Sequence, residues 1–358
     1  MGWSATEVIA LTRIPGLSQK LIQHILQQYP SFAQFHDAVA AGAVRQLHLF
    51  ADSALTEAFR HAERIVQRCR ELGVRILPLT DPDYPPLLRH IAYPPLVLYL
   101  WGQLAPAEQP VISIVGTRRC TLYGRLCAER FAEACVHAGA VVCSGLAQGI
   151  DTIAHQTVLR VGGITYAVVA SGVDRIQPRT AAQLAHRIVD SGGAVLSEHP
   201  PGTKALPAYF PQRNRIISGL AHAVLVVESG IPGGALITAQ LAFDQGRSVY
   251  AIPGNITAEK SAGTNMLIRR NIATPALSPE DFLSDLGLTP LAPPSAPASF
   301  PSDAAEQLYR LLGEEPIHID TLAEQAGIPV QQALAHLLEL EFRGLVRQLP
   351  GKYFLRSA

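Results

Sequence analysis

Four stretches of the chain carry residue types that could hold an anion. Residues 116–125 read Gly116-Thr117-Arg118-Arg119-Cys120-Thr121-Leu122-Tyr123-Gly124-Arg125, with three arginines and no acid. Residues 144–151 read Ser144-Gly145-Leu146-Ala147-Gln148-Gly149-Ile150-Asp151. Residues 202–215 hold Lys204, Arg213 and Arg215, again without an acid, and include Phe210-Pro211-Gln212-Arg213-Asn214-Arg215. The fourth stretch is Ser229-Gly230-Ile231-Pro232-Gly233-Gly234-Ala235-Leu236-Ile237-Thr238. Guanidinium groups grip phosphate oxygens, and glycines let backbone N–H groups approach them. Tyr123, Tyr209 and Phe210 supply rings on which a base could stack. The two basic stretches, 116–125 and 202–215, together with such glycines describe a track for several phosphates.

Catalytic patterns are poorly represented. Gly-x-Gly-x-x-Gly is absent after residues 111–115, and residues 140–143 lead into Ser144 with no acid to hold a ribose. No Gly-x-x-x-x-Gly-Lys-Ser/Thr loop occurs, and Ser144 lacks a nucleophile elbow. Asp151 reads as a helix N-cap before it reads as a catalytic acid, and His155, four residues on, as a packing or surface histidine. The five cysteines form no Cys-x-x-Cys pair, so neither a disulfide framework nor a metal site is expected. No cofactor is implied.

The elements that must position these stretches are legible from periodicity. Apolar runs at 111–115, 140–143, 164–170, 194–197, 223–228 and 248–252 alternate with helical patterns at 123–139, from 151, at 181–190 and at 235–245. Continuous apolar strands separated by helices indicate an α/β fold, an extended Rossmann-like parallel sheet covered on both faces. Ligands of such sheets bind beyond the strands' carboxyl ends, where the four stretches fall. Residues 1–75 read as a helical domain of the SAM or helix-hairpin-helix kind, with the Ile14-Pro15-Gly16 turn and Ser18 as an N-cap. The Rossmann-like domain spans 76–287, a Pro-rich linker 288–301, and a winged-helix domain 302–358, with its helix-turn-helix over 319–342.

Formal net charge is zero over 358 residues, so a nucleic-acid site must be a local basic cluster. No run of residues is long and apolar enough to span a membrane. Residues 1–16 contain Glu7 and lack a basic region followed by an apolar one, so no secretory signal and a cytoplasmic location are expected.

In this order the chain resembles the DprA/Smf (DNA-processing protein A) family. The resemblance is carried by Asp81-Pro82-Asp83-Tyr84-Pro85, Gly116-Thr117-Arg118-Arg119, Ser144 to Asp151, Phe210-Pro211-Gln212-Arg213-Asn214-Arg215 to Leu220, Gly233-Gly234 to Ala239, Ile252-Pro253-Gly254-Asn255, and Gly263-Thr264-Asn265 to Ile268. It implies a non-enzymatic homodimer that binds single-stranded DNA during natural transformation and helps load RecA onto it. Carried over by position, it implies DNA contacts from Gly116, Thr117, Arg118, Arg119, Ser144, Gly145, Gly149, Phe210, Arg213, Asn214 and Arg215. A family lysine three residues before the phenylalanine is here Pro207, and Lys204 is the candidate substitute. Met266, Leu267 and Ile268 are the candidate dimer surface.

Two other readings compete. Ile231-Pro232-Gly233-Gly234 is similar to the turn of Rossmann-like nucleotide phosphoribohydrolases, with Glu228 or Asp151 as acid or base, although the Gly-Thr and glutamate that follow in that family are missing. A small-nucleotide sensor without catalysis is the third reading.

The winged-helix segment, residues 301–358, has eight acids (Asp303, Glu306, Glu314, Glu315, Asp320, Glu324, Glu339, Glu341) against five bases (Arg310, Arg343, Arg347, Lys352, Arg356). Its recognition-helix segment, 330–342, has no Lys or Arg, whereas a major-groove helix needs cationic donors. We therefore expect residues 300–358 in isolation to show no appreciable affinity for duplex DNA at moderate salt in a mobility-shift titration. Appreciable binding would contradict that reading.

Overall fold

The computed structural model describes residues 2–40, 52–289, 300, 302–313 and 315–356. Nine strands form one sheet: β1 (Arg75–Pro78), β2 (Val97–Gly102), β3 (Val111–Val115), β4 (Val141–Ser144), β5 (Thr165–Val168), β6 (Ala194–Ser197), β7 (Ala223–Val226), β8 (Ser248–Ala251) and β9 (Thr274–Pro275). Their order is β1-β2-β6-β5-β4-β3-β7-β8-β9. The seven strands from β6 to β9 run parallel, while β2 is antiparallel to both its neighbours. From β3 the chain winds outward through β4, β5 and β6, then returns to β7 on the other side of β3. That reversal opens a crevice beyond the carboxyl ends of β3 and β7.

Strand burial explains why these segments read as unbroken apolar runs. Every residue of β4, β5, β6 and β7 is buried, because helices cover both faces. One face packs Ile112, Ile114, Val142 and Leu225 against Phe131, Ile153 and Phe282. The other packs Val115, Cys143, Val168 and Val226 against Ile216, Ile217 and Ala239. The helix Ile150–Arg160 carries His155 into this core with no exposed surface.

The N-terminal helices Ala5–Arg13, Gln19–Gln28, Phe32–Ala40 and Asp52–Glu71 bury Val8, Ile9, Leu11 and Ile25 in a core shared with Tyr99, Leu184 and Val195 of the sheet domain. Ser18 caps its helix as expected, its hydroxyl accepting the N–H of Leu21 at 3.2 Å.

Two compact units result, residues 1–291 and 292–358. In the second, helices Asp303–Leu311, Ile319–Ala326 and Val330–Phe342 pack on strands β10 (Ile317–His318), β11 (Val346–Leu349) and β12 (Tyr353–Arg356), giving the expected winged helix. Gly327, with φ +66°, ends the first helix of the helix-turn-helix. The Pro-rich linker proposed for 288–301 lies almost wholly outside the described residues.

Three expectations need correction. The stretch around 210–215, outside the helical patterns expected from periodicity, belongs to the helix Tyr209–Leu220. Pro211 sits in its first turn, where a missing N–H costs nothing. Met266, Leu267 and Ile268 lie on the helix Ala262–Arg269, and Leu267 is 2% exposed within the core, with Ile268 packed against the same cluster. Leu267 therefore offers no exposed surface, while Met266 and Ile268 are half-buried. Asp151 lies one residue inside its helix, whose N-cap is Gly149.

His155 Nδ1 lies 2.7 Å from Thr165 Oγ1, which itself donates to the Val142 carbonyl at 2.7 Å. Thr165 is thus an acceptor toward the ring, which assigns the proton to Nδ1 of a neutral imidazole. Burial pushes the His155 pKa down to about 3, with Arg213 adding to the effect. The unfolded chain takes up a proton near the ordinary histidine value and the folded chain does not. Stability held above that value is therefore lost as the pH falls toward 3, by about 1.4 kcal/mol per pH unit. Urea unfolding at pH 7 and pH 4.5 should show wild type losing about 2.5 kcal/mol more than His155→Gln. Equal losses would contradict a buried neutral His155.

Candidate functional site

A cleft of about 520 Å³ lies at the sheet reversal. Its walls come from the loops after β3, β4 and β7, the first turns of helices Tyr209–Leu220 and Gly234–Asp244, and Glu259-Lys260. Gly116, Thr117, Arg118, Arg119, Phe210, Arg213 and Asn214 all line it, so much of the residue set predicted from sequence is brought together.

Arg118 and Arg119 are exposed. Among the described residues no carboxylate lies within 4.0 Å of either. The Arg118 guanidinium stands 5.7 Å from the Phe210 ring centroid. A cation over an aromatic face at such a rim contributes about 0.5–1 kcal/mol and holds the arginine at the cleft mouth beside a ring free to stack. The β3 loop is fixed from below. Thr117 N–H donates to the Glu228 carbonyl at 2.8 Å, and the buried Glu228 carboxylate accepts the Thr121 N–H at 2.9 Å and the Thr121 hydroxyl at 2.5 Å. Glu228 thus braces the loop and does not line the cleft.

Beneath the rim lies a buried polar layer. Arg213, 7% exposed, donates from Nη1 to the carbonyls of Gly145 (2.6 Å) and Val168. Asp151, 6% exposed, accepts the N–H groups of Gly145 (3.1 Å) and Ala147 (3.4 Å). Both close on Gly145: a Cβ there would stand 2.7 Å from Arg213 Nη2 and 2.8 Å from Asp151 Oδ2. Burial pushes the Asp151 carboxyl up, against the pull of Arg213 and those N–H groups, and pushes the Arg213 guanidinium down, against the pull of Asp151. Each charge is therefore tolerable only because the other is present.

This layer changes the roles of several predicted contacts. Gly145 does not offer its N–H to a ligand, since Asp151 takes it. Ser144 is buried and donates to the Ile114 carbonyl at 2.6 Å. Arg213 lines the cleft, but the two carbonyls occupy its Nη1 hydrogen bonds. Arg215 donates from Nη2 to both Glu198 carboxylate oxygens at 2.8 and 2.6 Å, with its side chain 14% exposed, and does not line the cleft. Gly149 acts by close approach. With φ +81°, it lets the β4 loop run against the β3 loop, and a Cβ there would lie 2.3 Å from the Thr117 carbonyl oxygen.

Lys204 is exposed on the loop after β6 but is not among the cleft residues. Tyr123 spends its hydroxyl on the Pro253 carbonyl at 2.7 Å, and Tyr209 stacks on His199 at 4.1 Å, leaving Phe210 as the ring at the mouth. Ser229, Gly233, Gly234 and Thr238 line the cleft from the fourth stretch, although none of them was assigned a DNA contact, and Lys260 lies outside all four stretches. The glycine pair after β7 was a usable signal for most of them. Lys260 follows an acid and lies far along the chain, so only the fold reveals it.

Among the described residues, no group of three or more histidine, cysteine, aspartate or glutamate side chains could hold a metal, and no helix is long and apolar enough to cross a membrane.

Removing the buried cation leaves Asp151 uncompensated. Arg213→Ala should lower the unfolding free energy by about 3 kcal/mol or more in urea titrations, whereas Arg118→Ala should change it by less than about 1 kcal/mol. Equal stabilities for the two variants would contradict the structural role given to Arg213.

Comparison with known proteins adds the following. The family described as DNA recombination-mediator protein A matches residues 75–287, and a DprA winged-helix domain matches residues 290–352. Protein Smf of Escherichia coli strain K12 is 38% identical over 286 residues, covering 78% of this chain and 76% of that protein. The X-ray structure of DNA processing protein A from Streptococcus pneumoniae aligns with TM-score 0.67 at 31% identity, over 80% of this chain and 99% of that one. DNA processing protein A from Helicobacter pylori, whose structure is described in terms of its single-stranded DNA binding mode, aligns with TM-score 0.54 at 26% identity, over 60% of this chain and 95% of that one.

Proposed function

The chain belongs to the DNA recombination-mediator protein A family, and from that premise we propose that it binds single-stranded DNA in the cleft and delivers the strand to RecA during natural transformation. The observation that carries the reading is the pairing of unneutralised arginines with an aromatic ring at the mouth of the sheet-reversal cleft. Arg118 and Arg119 supply phosphate contacts, Phe210 a face for a base, and the walls of the β3 and β7 loops the backbone. The H. pylori relative's description supports single strands as the partner, and the family's description supports a recombination role. Lys204, exposed on the neighbouring loop, extends the track beyond the cleft, and the protein acts as a homodimer.

The reaction-free reading is favoured by the fate of the two candidate carboxylates. Asp151 is bonded to two backbone N–H groups beside Arg213, and Glu228 is buried beneath the β3 loop. Asp151 lines the cleft with its carboxylate already taken by those N–H groups, and Glu228 does not line it, which weakens the phosphoribohydrolase alternative.

Binding of this kind releases counterions and falls steeply with salt. Fluorescent oligothymidylate titrated at increasing salt should show tight, salt-steep binding that an equal length of duplex competes for poorly. Arg118→Ala should weaken it about ten-fold across sequences and flatten the salt dependence. Unchanged affinity in Arg118→Ala would place the strand elsewhere.

A further inference from the structure

We propose that the N-terminus of the helix Gly234–Asp244, with Thr238 and Lys260, forms a seat for a phosphomonoester at one side of the cleft. The inference deepens the strand-binding reading, and rests on it for one of the two possible sources of the phosphate.

The helix start is left uncapped. Gly233 occupies the N-cap position and makes no side-chain capping bond; the Leu236 N–H donates to the Gly233 carbonyl at 3.2 Å, while among the described residues the Gly234 and Ala235 N–H groups have no acceptor. They line the cleft together with Ser229 and Lys260. A helix start alone proves little, but Thr238 points the same way. It stands one turn further in, is 2% exposed, and lines the same cleft. Among the described residues no hydrogen bond satisfies its hydroxyl, while the other buried hydroxyl along the cleft wall, Ser229, has an acceptor in the Gly230 carbonyl at 3.1 Å. With no bond inside the chain and Thr238 among the cleft-lining residues, that hydroxyl is left to be answered from the cleft side, where a ligand oxygen can accept from it.

Gly234 adds a further observation. A Cβ there would meet nothing within 4 Å, and its φ is not in the left-handed region. The fold itself therefore does not need glycine at this position. Its bare backbone leaves the helix start open to something arriving through the cleft.

Lys260 is held at the same place by the backbone, since its carbonyl accepts the Ser229 N–H at 2.9 Å and the Ser229 carbonyl accepts the Gly263 N–H at 2.8 Å. Its only ion-pair partner, among the described residues, is the exposed Glu259 at 3.9 Å, a weak tie. The seat thus offers three kinds of donor: helix N–H groups, a hydroxyl and an ammonium. A phosphomonoester presents three free oxygens and close to two negative charges, whereas a phosphodiester within a strand presents two oxygens and one charge. The donor set fits the monoester better. Two sources carry that group, the 5′ end of a bound strand and a free nucleoside monophosphate.

Full-length protein would be titrated with 5′-phosphorylated and 5′-hydroxyl oligothymidylate of one length, with thymidine monophosphate and thymidine as competitors. We expect the phosphorylated strand to bind about three- to ten-fold more tightly at low salt. Thr238→Val and Lys260→Gln should each bring that ratio toward one. Thr238→Val should keep or raise the unfolding temperature, because its hydroxyl has no intramolecular bond to lose. Competition by the monophosphate but not thymidine, without any preference between the strands, would keep the seat and assign it to free nucleotide. If neither strand binds while the monophosphate does, the strand reading fails and the seat stands. Equal strand affinities together with no competition by the monophosphate overturn the seat and leave strand binding intact. A preference that survives in both variants also overturns it.

Discussion

Arg213 brings a positive charge into the interior of this molecule, and burying an ion is affordable only when its charge and its donors are answered. The Gly145 and Val168 carbonyls accept from it, and Asp151 closes on the same point from the opposite side. Those carbonyls lie just beyond β4 and at the end of β5, while Arg213 comes from the helix Tyr209–Leu220 and Asp151 from the helix Ile150–Arg160. One polar layer therefore locks two strand ends and two helices. Asp151 in turn holds the N–H groups of Gly145 and Ala147, which sets the course of the β4 loop. Gly149 then admits the β3 loop against it, and Arg118 and Arg119 are held at the cleft mouth as a consequence.

This arrangement separates two tasks that the sequence merges under one residue type. Arginines 213 and 215 are structural, answered by carbonyls or by Glu198, while 118 and 119 face solvent without a carboxylate within ion-pair distance among the described residues. A chain of zero net charge can hold a polyanion under these conditions, because the attraction is local to the cleft. The topology supports the same division. The sheet reverses between β3 and β7, and the loops that leave those strands supply the exposed cations and the open helix start.

Much of the fold was legible in the sequence because buried parallel strands leave an unambiguous mark. The strands at 111–115 and 194–197 begin and end where the apolar runs do, and the winged helix followed from its periodicity and from Gly327. The helix Tyr209–Leu220 was hidden by Pro211 and by the polar run Gln212-Arg213-Asn214-Arg215, which locally reads as a loop. A two-residue edge strand, Thr274–Pro275, left no signal at all. In the site, Gly116 to Arg119 and Phe210 were found because exposed chemistry is carried by residue type. The burial of Arg213 was not, since it depends on Asp151, distant in sequence, arriving at the same carbonyl-lined point. Within Met266-Leu267-Ile268 the apolar triplet alone does not show that helical spacing turns Leu267 inward.

The central claim is a division of labour between a buried arginine that shapes the cleft and exposed arginines that hold the strand. Its most direct test is a crystal structure of the protein with a short oligothymidylate. Phosphates are expected at Arg118 and Arg119, a base against Phe210, and Arg213 still bonded to the Gly145 and Val168 carbonyls. A strand bound away from the cleft, or an Arg213 that has left those carbonyls to take a phosphate, would contradict it.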